Sequence, residues 1–261
     1  MISSPSNPRL KEVGKLRESK HRRRSGCFLI DGRREVERAI RCGIRILELF
    51  TTQDVRFPGI PATRVAESVF GKIAFGDRND GVLAVAEIPE WTLTTLTQIV
   101  TQTMPPLLAV LEGIEKPGNV GAVFRSADGA GLDGILVTAP ATDLFNPNTL
   151  RNSLGTIFRV PTAVTESREA FDWLRQQDIR LAVARCDGAI PYTDYDFRRP
   201  TAIVLGSEAN GLTALWSGPG TTAIALPMRG IADSLNVSAA AAALFYEAQR
   251  QRGTMTLPSF R

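Results

Sequence analysis

The strongest constraint on the fold is an unbroken apolar run, Leu107–Leu111, after which helical and strand-like segments alternate along the chain. A continuous apolar run is typical of a parallel strand buried on both faces, whereas a half-exposed strand alternates polar and apolar residues. Later strand-like segments lie at Ile135–Thr138, Ile179–Ala184, Thr201–Leu205 and Thr222–Leu226. This pattern predicts an α/β fold with a parallel sheet covered by helices.

The first 90 residues carry a separate set of short elements, including a polar helix over Arg9–Ser19 and strands over Cys27–Ile30 and Gly81–Ile88. A small α/β domain is therefore expected ahead of the parallel sheet. The segment between the two is rich in threonine and bracketed by prolines, which is typical of a linker. The expected organisation is a first domain over residues 1–90, a linker over 91–106 and a second domain over 107–261.

The composition excludes several classes of protein. With 43% hydrophobic and 22% charged residues, the chain has the composition of an ordinary globular protein. Its apolar stretches fall short of the roughly 20 residues that a bilayer span needs, so no membrane association is expected. No leader pattern opens the chain, which favours the cytoplasm. One histidine and three widely spaced cysteines leave little room for histidine-assisted nucleophiles, and no metal site is expected.

The positive charge is concentrated near the start of the chain. Residues 1–50 carry 13 basic and 6 acidic side chains, against 18 and 21 in the remainder. Between Arg9 and Arg24 there are 8 basic and 2 acidic side chains. Such a patch favours a polyanionic partner, although a solvated helix followed by a basic turn would show the same pattern.

Three polar, glycine-bearing segments follow predicted strands, where ligands bind in open α/β sheets. The first runs from Glu112 to Ala127, and Asn119 is expected to cap its helix. The second is Leu205-Gly-Ser-Glu-Ala-Asn-Gly-Leu212, and the third joins Leu226 to the last helix through Ser234-Leu-Asn-Val-Ser238. Taken singly, each could be an ordinary cap or turn. Together they predict one site at a sheet edge.

The order and spelling of these segments resemble the three motifs of the SpoU (TrmH) family of RNA ribose 2′-O-methyltransferases. The matching letters are Asn119-x-Gly-x-x-x-Arg125, the Leu205–Leu212 segment, and Pro227-Met228 followed by Ser234–Ser238. Residues 146–161 are similar to the family's middle stretch. In the first 90 residues, 6–9 and 28–33 are similar, more loosely, to the L30e-like substrate-binding domain that often precedes the methyltransferase domain.

The resemblance implies a methyltransferase domain with a C-terminal trefoil knot, S-adenosyl-L-methionine as cofactor, and a homodimer whose two chains together form the site. It implies that Arg125 acts as the base on the ribose hydroxyl. A guanidinium is a poor proton acceptor, so we instead expect Arg125 to position the hydroxyl and a phosphate and to stabilise developing charge, with the route of the proton left open. The further catalytic candidates are Asn119, Glu208, Ser234 and Asn236. The cofactor-binding candidates are Leu205, Gly206, Glu208, Leu226, Pro227, Met228, Ser234, Leu235 and Asn236. The candidate RNA contacts are Arg9, Lys20, Arg22, Arg23, Arg24, Arg33 and Arg151.

The two-domain layout favours 23S-type ribosomal RNA as the substrate, with a role in thiopeptide resistance as one implication of the resemblance. Three alternatives stay open from the sequence: a non-catalytic RNA-binding or ribosome-assembly protein that keeps the fold, a tRNA 2′-O-methyltransferase, and a relative that methylates a base nitrogen.

Overall fold

The computed structural model describes residues 1–76, 80–103 and 105–253. The chain divides into two compact units. The first is formed by Met1–Glu90 with Asp143–Arg159, and the second by Trp91–Thr142 with the described residues from Val160 onward. The helices are α1 (Pro8–Lys15), α2 (Ser19–Ser25), α3 (Arg33–Arg41), α4 (Glu67–Phe70), α5 (Leu93–Val100), α6 (Pro117–Ala130), α7 (Pro147–Ser153), α8 (Ser167–Gln176) and α9 (Val237–Arg252). The strands are β1 (Cys27–Asp31), β2 (Ile46–Thr51), β3 (Ala62–Arg64), β4 (Val82–Glu87), β5 (Leu107–Glu112), β6 (Gly134–Thr138), β7 (Thr162–Thr165), β8 (Arg180–Ala184), β9 (Ile190–Pro191), β10 (Thr201–Leu205) and β11 (Thr221–Ala225).

A four-stranded sheet in the order β1-β4-β2-β3 forms the centre of the first unit. The β4 strand is antiparallel to both β1 and β2, and β3 pairs parallel to β2. Leu10 and Val13 of α1 pack against this sheet beside Phe50 and Val85. The first unit is therefore a small α/β structure, as the sequence predicts.

The basic run after α1 corrects the predicted single polar helix over Arg9–Ser19, and it is not the basic turn of the alternative interpretation. Helix α1 ends at Lys15, and the basic run forms a second helix, α2. Arg22 is buried, and its guanidinium donates to the carbonyls of Leu16 and Arg17 at the end of α1, with N–O distances of 2.7 and 2.8 Å. These bonds satisfy carbonyls that the end of a helix leaves without partners.

The segment 143–159 packs within the first unit, although the sequence placed it in a continuous second domain over 107–261. Arg22 forms a 2.8 Å ion pair with Asp143, and the ring centroids of Phe28 and Phe145 lie 4.5 Å apart. Arg38 donates a hydrogen bond to the carbonyl of Leu154. A buried ion pair and aromatic packing therefore hold this segment to residues far away in sequence.

The expected linker over residues 91–106 is also corrected, because half of it, Leu93–Val100, is a helix of the second unit. Thr92 caps α5 by accepting from the backbone of Thr95, and Leu96 and Val100 are buried in the core of that unit. The indole of Trp173 donates to the hydroxyl of Thr97 at 2.9 Å. Apolar residues four positions apart give this threonine-rich segment one buried face.

The second unit is built on seven strands in the order β7-β6-β5-β10-β8-β11-β9. Every neighbouring pair is parallel, which confirms the predicted parallel sheet. All of β5, the apolar run of the sequence, is buried. Because β10, β8 and β11 are adjacent, their carboxyl ends lie at one edge of the sheet. None of the helices within the described ranges is long and apolar enough to cross a membrane.

Candidate cofactor and substrate site

A cavity of about 440 Å³ opens at the shared edge of β8, β10 and β11. Residues from the second and third motif segments form much of its wall, and the start of α9 closes it. Six of the nine cofactor-binding candidates line the cavity: Leu205, Gly206, Glu208, Leu226, Ser234 and Leu235. Pro227, Met228 and Asn236 are not among the described residues of the wall. The sheet order thus gathers two segments that lie on either side of β11 in the chain.

The bend after β10 is tightly closed and requires glycine at position 206. Ser207 and Gly211 exchange backbone hydrogen bonds of 3.2 and 3.0 Å. A Cβ atom built on Gly206 would lie 2.5 Å from both the carbonyl carbon and the oxygen of Gly211. Only a residue without a side chain allows this approach, so the backbone itself forms the cavity wall here.

A buried carboxylate fixes the far end of the same bend. Glu112, the last residue of β5, accepts hydrogen bonds from the backbone N–H and the hydroxyl of Thr213 at 2.8 and 3.1 Å. These bonds tie the second segment to the neighbouring strand. Glu112 was not among the residues predicted to form the site, since nothing in its local sequence indicates a partner 101 residues away.

Glu208 joins all three motif segments through one carboxylate. It accepts hydrogen bonds from the amides of Asn119 and Asn236, with N–O distances of 2.9 and 2.7 Å. The Lys116 ammonium lies 2.5 Å from its other oxygen. The hydrogen bond from Lys116 is the main cause that lowers the pKa of Glu208, and the backbone N–H of Val237 lowers it further. The carboxylate is therefore held ionised between its donors.

Asn236 has both of the roles that the sequence left open. Its side-chain oxygen accepts from the backbone N–H of Ser238 at 3.0 Å and so caps α9. Its amide nitrogen donates to Glu208 and, at 3.2 Å, to the side-chain oxygen of Asn119. One residue thus both begins the last helix and links it to the first and second motifs.

Asn119 does not cap its helix, which corrects the sequence prediction. Pro117 occupies the first turn of α6, so the helix begins two residues before Asn119, with Lys116 at the cap position. Proline favours the first helical position because it lacks the N–H that would stay unpaired there. The Asn119 side chain is therefore available to donate to Glu208. Lys116, which also contacts Glu208, is a site residue that is absent from the sequence prediction.

Arg125 lies apart from this cluster. It is exposed on α6, and the helical repeat places it roughly 120° around the axis and about 9 Å along it from Asn119. The neighbouring residues Val123 and Phe124 are buried. The structure therefore brings Asn119, Glu208 and Asn236 together in one chain and leaves Arg125 on an outer face of α6.

The candidate RNA contacts differ in accessibility, and Arg22 is a correction because its guanidinium is buried against Asp143. Arg9, Lys20 and Arg33 form ion pairs with Glu48, Glu18 and Glu37, respectively. Arg23 and Arg24 are exposed on α2, and Arg151 is exposed on α7. Within the described ranges, no group of three His, Cys, Asp or Glu residues could hold a metal ion.

Comparisons with known proteins identify relatives of both parts of the chain. The profile of the SpoU rRNA Methylase family matches residues 106–246, and that of the MRM3-like substrate binding domain matches residues 7–84. The 23S rRNA (guanosine(2553)-2′-O)-methyltransferase RlmP of Bacillus subtilis is 28% identical over 94% of this chain and 97% of its own length. The 23S rRNA (uridine(2479)-2′-O)-methyltransferase of Streptomyces viridochromogenes is 31% identical over 88% of this chain and 85% of its own.

A solved structure extends the similarity to three dimensions. The SpoU methyltransferase AviRb from Streptomyces viridochromogenes, in complex with the cofactor AdoMet, superimposes with a TM-score of 0.85 at 28% identity, covering 95% of this chain and 99% of that one. The family profile spans more than half of the chain, and both motif-bearing segments of the cavity lie inside it. The chain belongs to the SpoU rRNA methylase family.

Proposed function

We propose that the protein transfers the methyl group of S-adenosyl-L-methionine to a ribose 2′-hydroxyl of structured RNA, with 23S-type ribosomal RNA as the substrate. The observation that carries this proposal is the convergence of three motif segments on Glu208 beside the cavity of the second unit. Relatives that match nearly the whole chain are 23S rRNA 2′-O-methyltransferases.

The residues of the cavity fit this cofactor. Leucines at 205, 226, 235 and 244 provide apolar walls, and the Gly206 bend exposes backbone groups at close range. The carboxylates of Glu208 and Asp233 also line the cavity and complement a ligand that carries positive charge on sulfur and nitrogen. When bound, the cofactor supplies an electrophilic methyl group, so no metal is required.

In this proposal the chain's own residues align the acceptor and stabilise charge. Arg125 binds the ribose hydroxyl and an adjacent phosphate through its planar fork of N–H donors. It favours the charge that develops on oxygen as the O–C bond forms, the S–C bond breaks and the hydroxyl proton is released to solvent. A guanidinium stays protonated and is therefore a poor proton acceptor, so Arg125 is assigned positioning and charge stabilisation. Glu208, held by Lys116 and two asparagines, fixes the relative positions of the three segments.

A homodimer is part of the proposal because Arg125 lies away from the cluster of its own chain. A second copy can deliver its Arg125 to the cavity if α6 and α9 lie at the interface. Ile231, Leu235 and Tyr246 expose apolar surface on and just before α9, which supports an interface there.

The trefoil knot and a cytoplasmic location belong to the same proposal, and both are supported by membership of the family. A role in thiopeptide resistance remains a prediction.

Calorimetric titration with S-adenosyl-L-methionine tests the proposal against a non-catalytic RNA-binding protein. We expect saturable heat at one site per chain, because the cavity is preformed at the sheet edge. Absence of heat in folded protein would favour the non-catalytic alternative. Transfer of label to tRNA but not to ribosomal RNA would select the tRNA enzyme instead.

The exposed arginines of α2 are proposed to contact RNA phosphates. Replacing Arg23 and Arg24 together by alanine is expected to lower RNA affinity at low salt and to reduce the slope of log K against log salt by about 1.5, since each phosphate contact contributes roughly 0.7–0.9. Filter binding to ribosomal RNA across a salt series measures the slope. Arg168→Ala, which removes an exposed arginine of α8, is the matched control. An unchanged slope in the double variant would contradict an RNA-binding role for α2.

A further inference from the structure

A second cavity, of about 510 Å³, lies entirely within the first unit and takes no part in the chemistry described above. It is bounded by the end of β1, the start of α3, α7 and the turn that follows α7. Its volume is in the range of sites that hold small organic ligands. The cavity thus has room for one nucleoside.

One part of its wall is aromatic and held in place. The Arg17 guanidinium lies 5.5 Å from the ring centre of Phe75 and covers one side of it. Arg17 also forms a bidentate pair with Asp31 at 2.7 and 2.8 Å, and Asp31 accepts from the backbone N–H of Phe75 at 2.9 Å. Phe158 and Leu150 extend the apolar surface. A fixed aromatic and apolar wall is suited to contact with a planar base.

The polar part of the wall presents acceptors. One oxygen of Glu35 accepts from Arg34 at 2.6 Å, and the other lies over Gly32, where it is 2.5 Å from the position that a Cβ would take. Gly32 has a φ of 102°, which favours glycine, and the missing Cβ leaves room for this oxygen. Within the described ranges no group donates to that second oxygen. This oxygen of Glu35 is therefore an acceptor for which a ligand could provide the hydrogen-bond donor.

Two arginines lie at exposed positions of the cavity wall, together with the exposed carboxylate of Asp80, which accepts from the backbone N–H of Arg33 at 2.8 Å. Arg34 lines the cavity with a side chain that is 56% exposed, and Arg151 lines it from α7 and is also exposed. Guanidinium groups bind phosphate through paired N–H donors. An aromatic wall, an inner carboxylate acceptor and outer arginines together match a nucleotide whose base carries N–H donors on its edge. Guanine fits best, because its neighbouring N1–H and N2–H groups can both donate to one carboxylate.

We propose that this cavity binds one unstacked guanine of the RNA substrate, with Phe75 and Phe158 against the base, Glu35 accepting from its N–H edge and Arg34 and Arg151 contacting the flanking phosphates. This inference rests on the proposed function, since it takes RNA to be the substrate. A free guanine nucleotide shares the same chemistry. RNA is the favoured source because the positive charge of the chain is concentrated in its first 50 residues.

The test compares Glu35→Gln with Glu37→Gln in the full-length protein. Both substitutions remove one carboxylate of α3 that pairs with a neighbouring arginine, but only the first places an N–H₂ group in the cavity. We expect Glu35→Gln to weaken binding to ribosomal RNA about tenfold, the usual loss for one base-edge contact. Glu37→Gln should bind as the wild type does. Equal affinities of the two variants would overturn the proposal.

Ultraviolet crosslinking gives a second readout that a structural defect would not produce. After crosslinking to ribosomal RNA and digestion, mass spectrometry should find guanosine attached to the peptide that contains Phe75, and 1 mM GMP should not abolish the adduct. Another base on that peptide, or no adduct there, would contradict the proposal. Tight binding of GMP alone would show that the ligand of the cavity is a free nucleotide and not RNA. If Glu35→Gln weakens RNA binding but the wild type transfers no methyl group, only the proposed function fails.

Discussion

Replacing Arg125 by alanine is expected to lower kcat for RNA methylation by about two to three orders of magnitude, the usual loss when one preorganised donor to a developing oxyanion is removed. Arg125 is exposed on α6 and is not among the described residues that line the cavity. The Kd for S-adenosyl-L-methionine should therefore stay within about threefold, because the lost interaction is made to the acceptor. Single-turnover transfer of labelled methyl and calorimetry measure the two quantities.

Two further variants make the Arg125 result specific. Arg168→Ala removes an exposed arginine of the same unit that pairs with Asp172, and its activity should match the wild type. Arg125→Lys keeps the positive charge but not the planar fork, so we expect it to recover only part of the lost rate. Activity of Arg125→Ala at the wild-type level would remove Arg125 from the mechanism.

Replacing Gly206 by alanine is expected to weaken S-adenosyl-L-methionine binding by about a hundredfold or more. The added methyl group would lie 2.5 Å from the Gly211 carbonyl and 2.8 Å from the Leu212 side chain, so the backbone of the bend must shift. That bend forms a wall of the cavity and carries Glu208 at its tip. A displacement of this size in a binding site costs orders of magnitude in affinity or rate.

Gly218→Ala is the matched control for this substitution. Gly218 lies in the same unit, is exposed and has open space where a Cβ would be placed. Its cofactor affinity and melting temperature should equal those of the wild type. Thermal unfolding of Gly206→Ala separates local distortion from global instability, since a folded protein without affinity is the expected result. Wild-type affinity in Gly206→Ala would show that the bend does not hold the cofactor.

The long elements could be predicted from sequence because their signals are local. The run Leu107–Leu111 and the periodic last helix both indicate burial without knowledge of the partners. The strands β3, β7 and β9 have only three, four and two residues, and they exist through pairing with distant segments. Such short strands carry too little pattern of their own. The threonine-rich α5 has the sequence of a linker for a similar reason, because only two of its side chains, Leu96 and Val100, are buried.

The candidate site shows the same division. The three segments could be recognised by their letters and by their positions after strands, whereas their convergence depends on the adjacency of β10, β8 and β11, which local patterns do not contain. Arg22 was placed among the RNA contacts because its neighbours are basic. Its partner Asp143 is 121 residues away, so the sequence offers no sign of its burial. Lys116 is not predicted as a site residue because the sequence suggests a helix that begins after Asn119. Pro117 makes the helix begin earlier, with Lys116 at the cap position.

Nucleoside analysis of methylated RNA identifies the atom to which the protein transfers the methyl group. Ribosomal RNA that lacks the modification is incubated with the protein and methyl-labelled S-adenosyl-L-methionine, digested to nucleosides and analysed by mass spectrometry. We expect the label on the ribose, as a single 2′-O-methylnucleoside, and at least a hundredfold less of it with Arg125→Ala. Label on a base nitrogen, or no transfer by protein that binds the cofactor, would rule out ribose methylation by this protein.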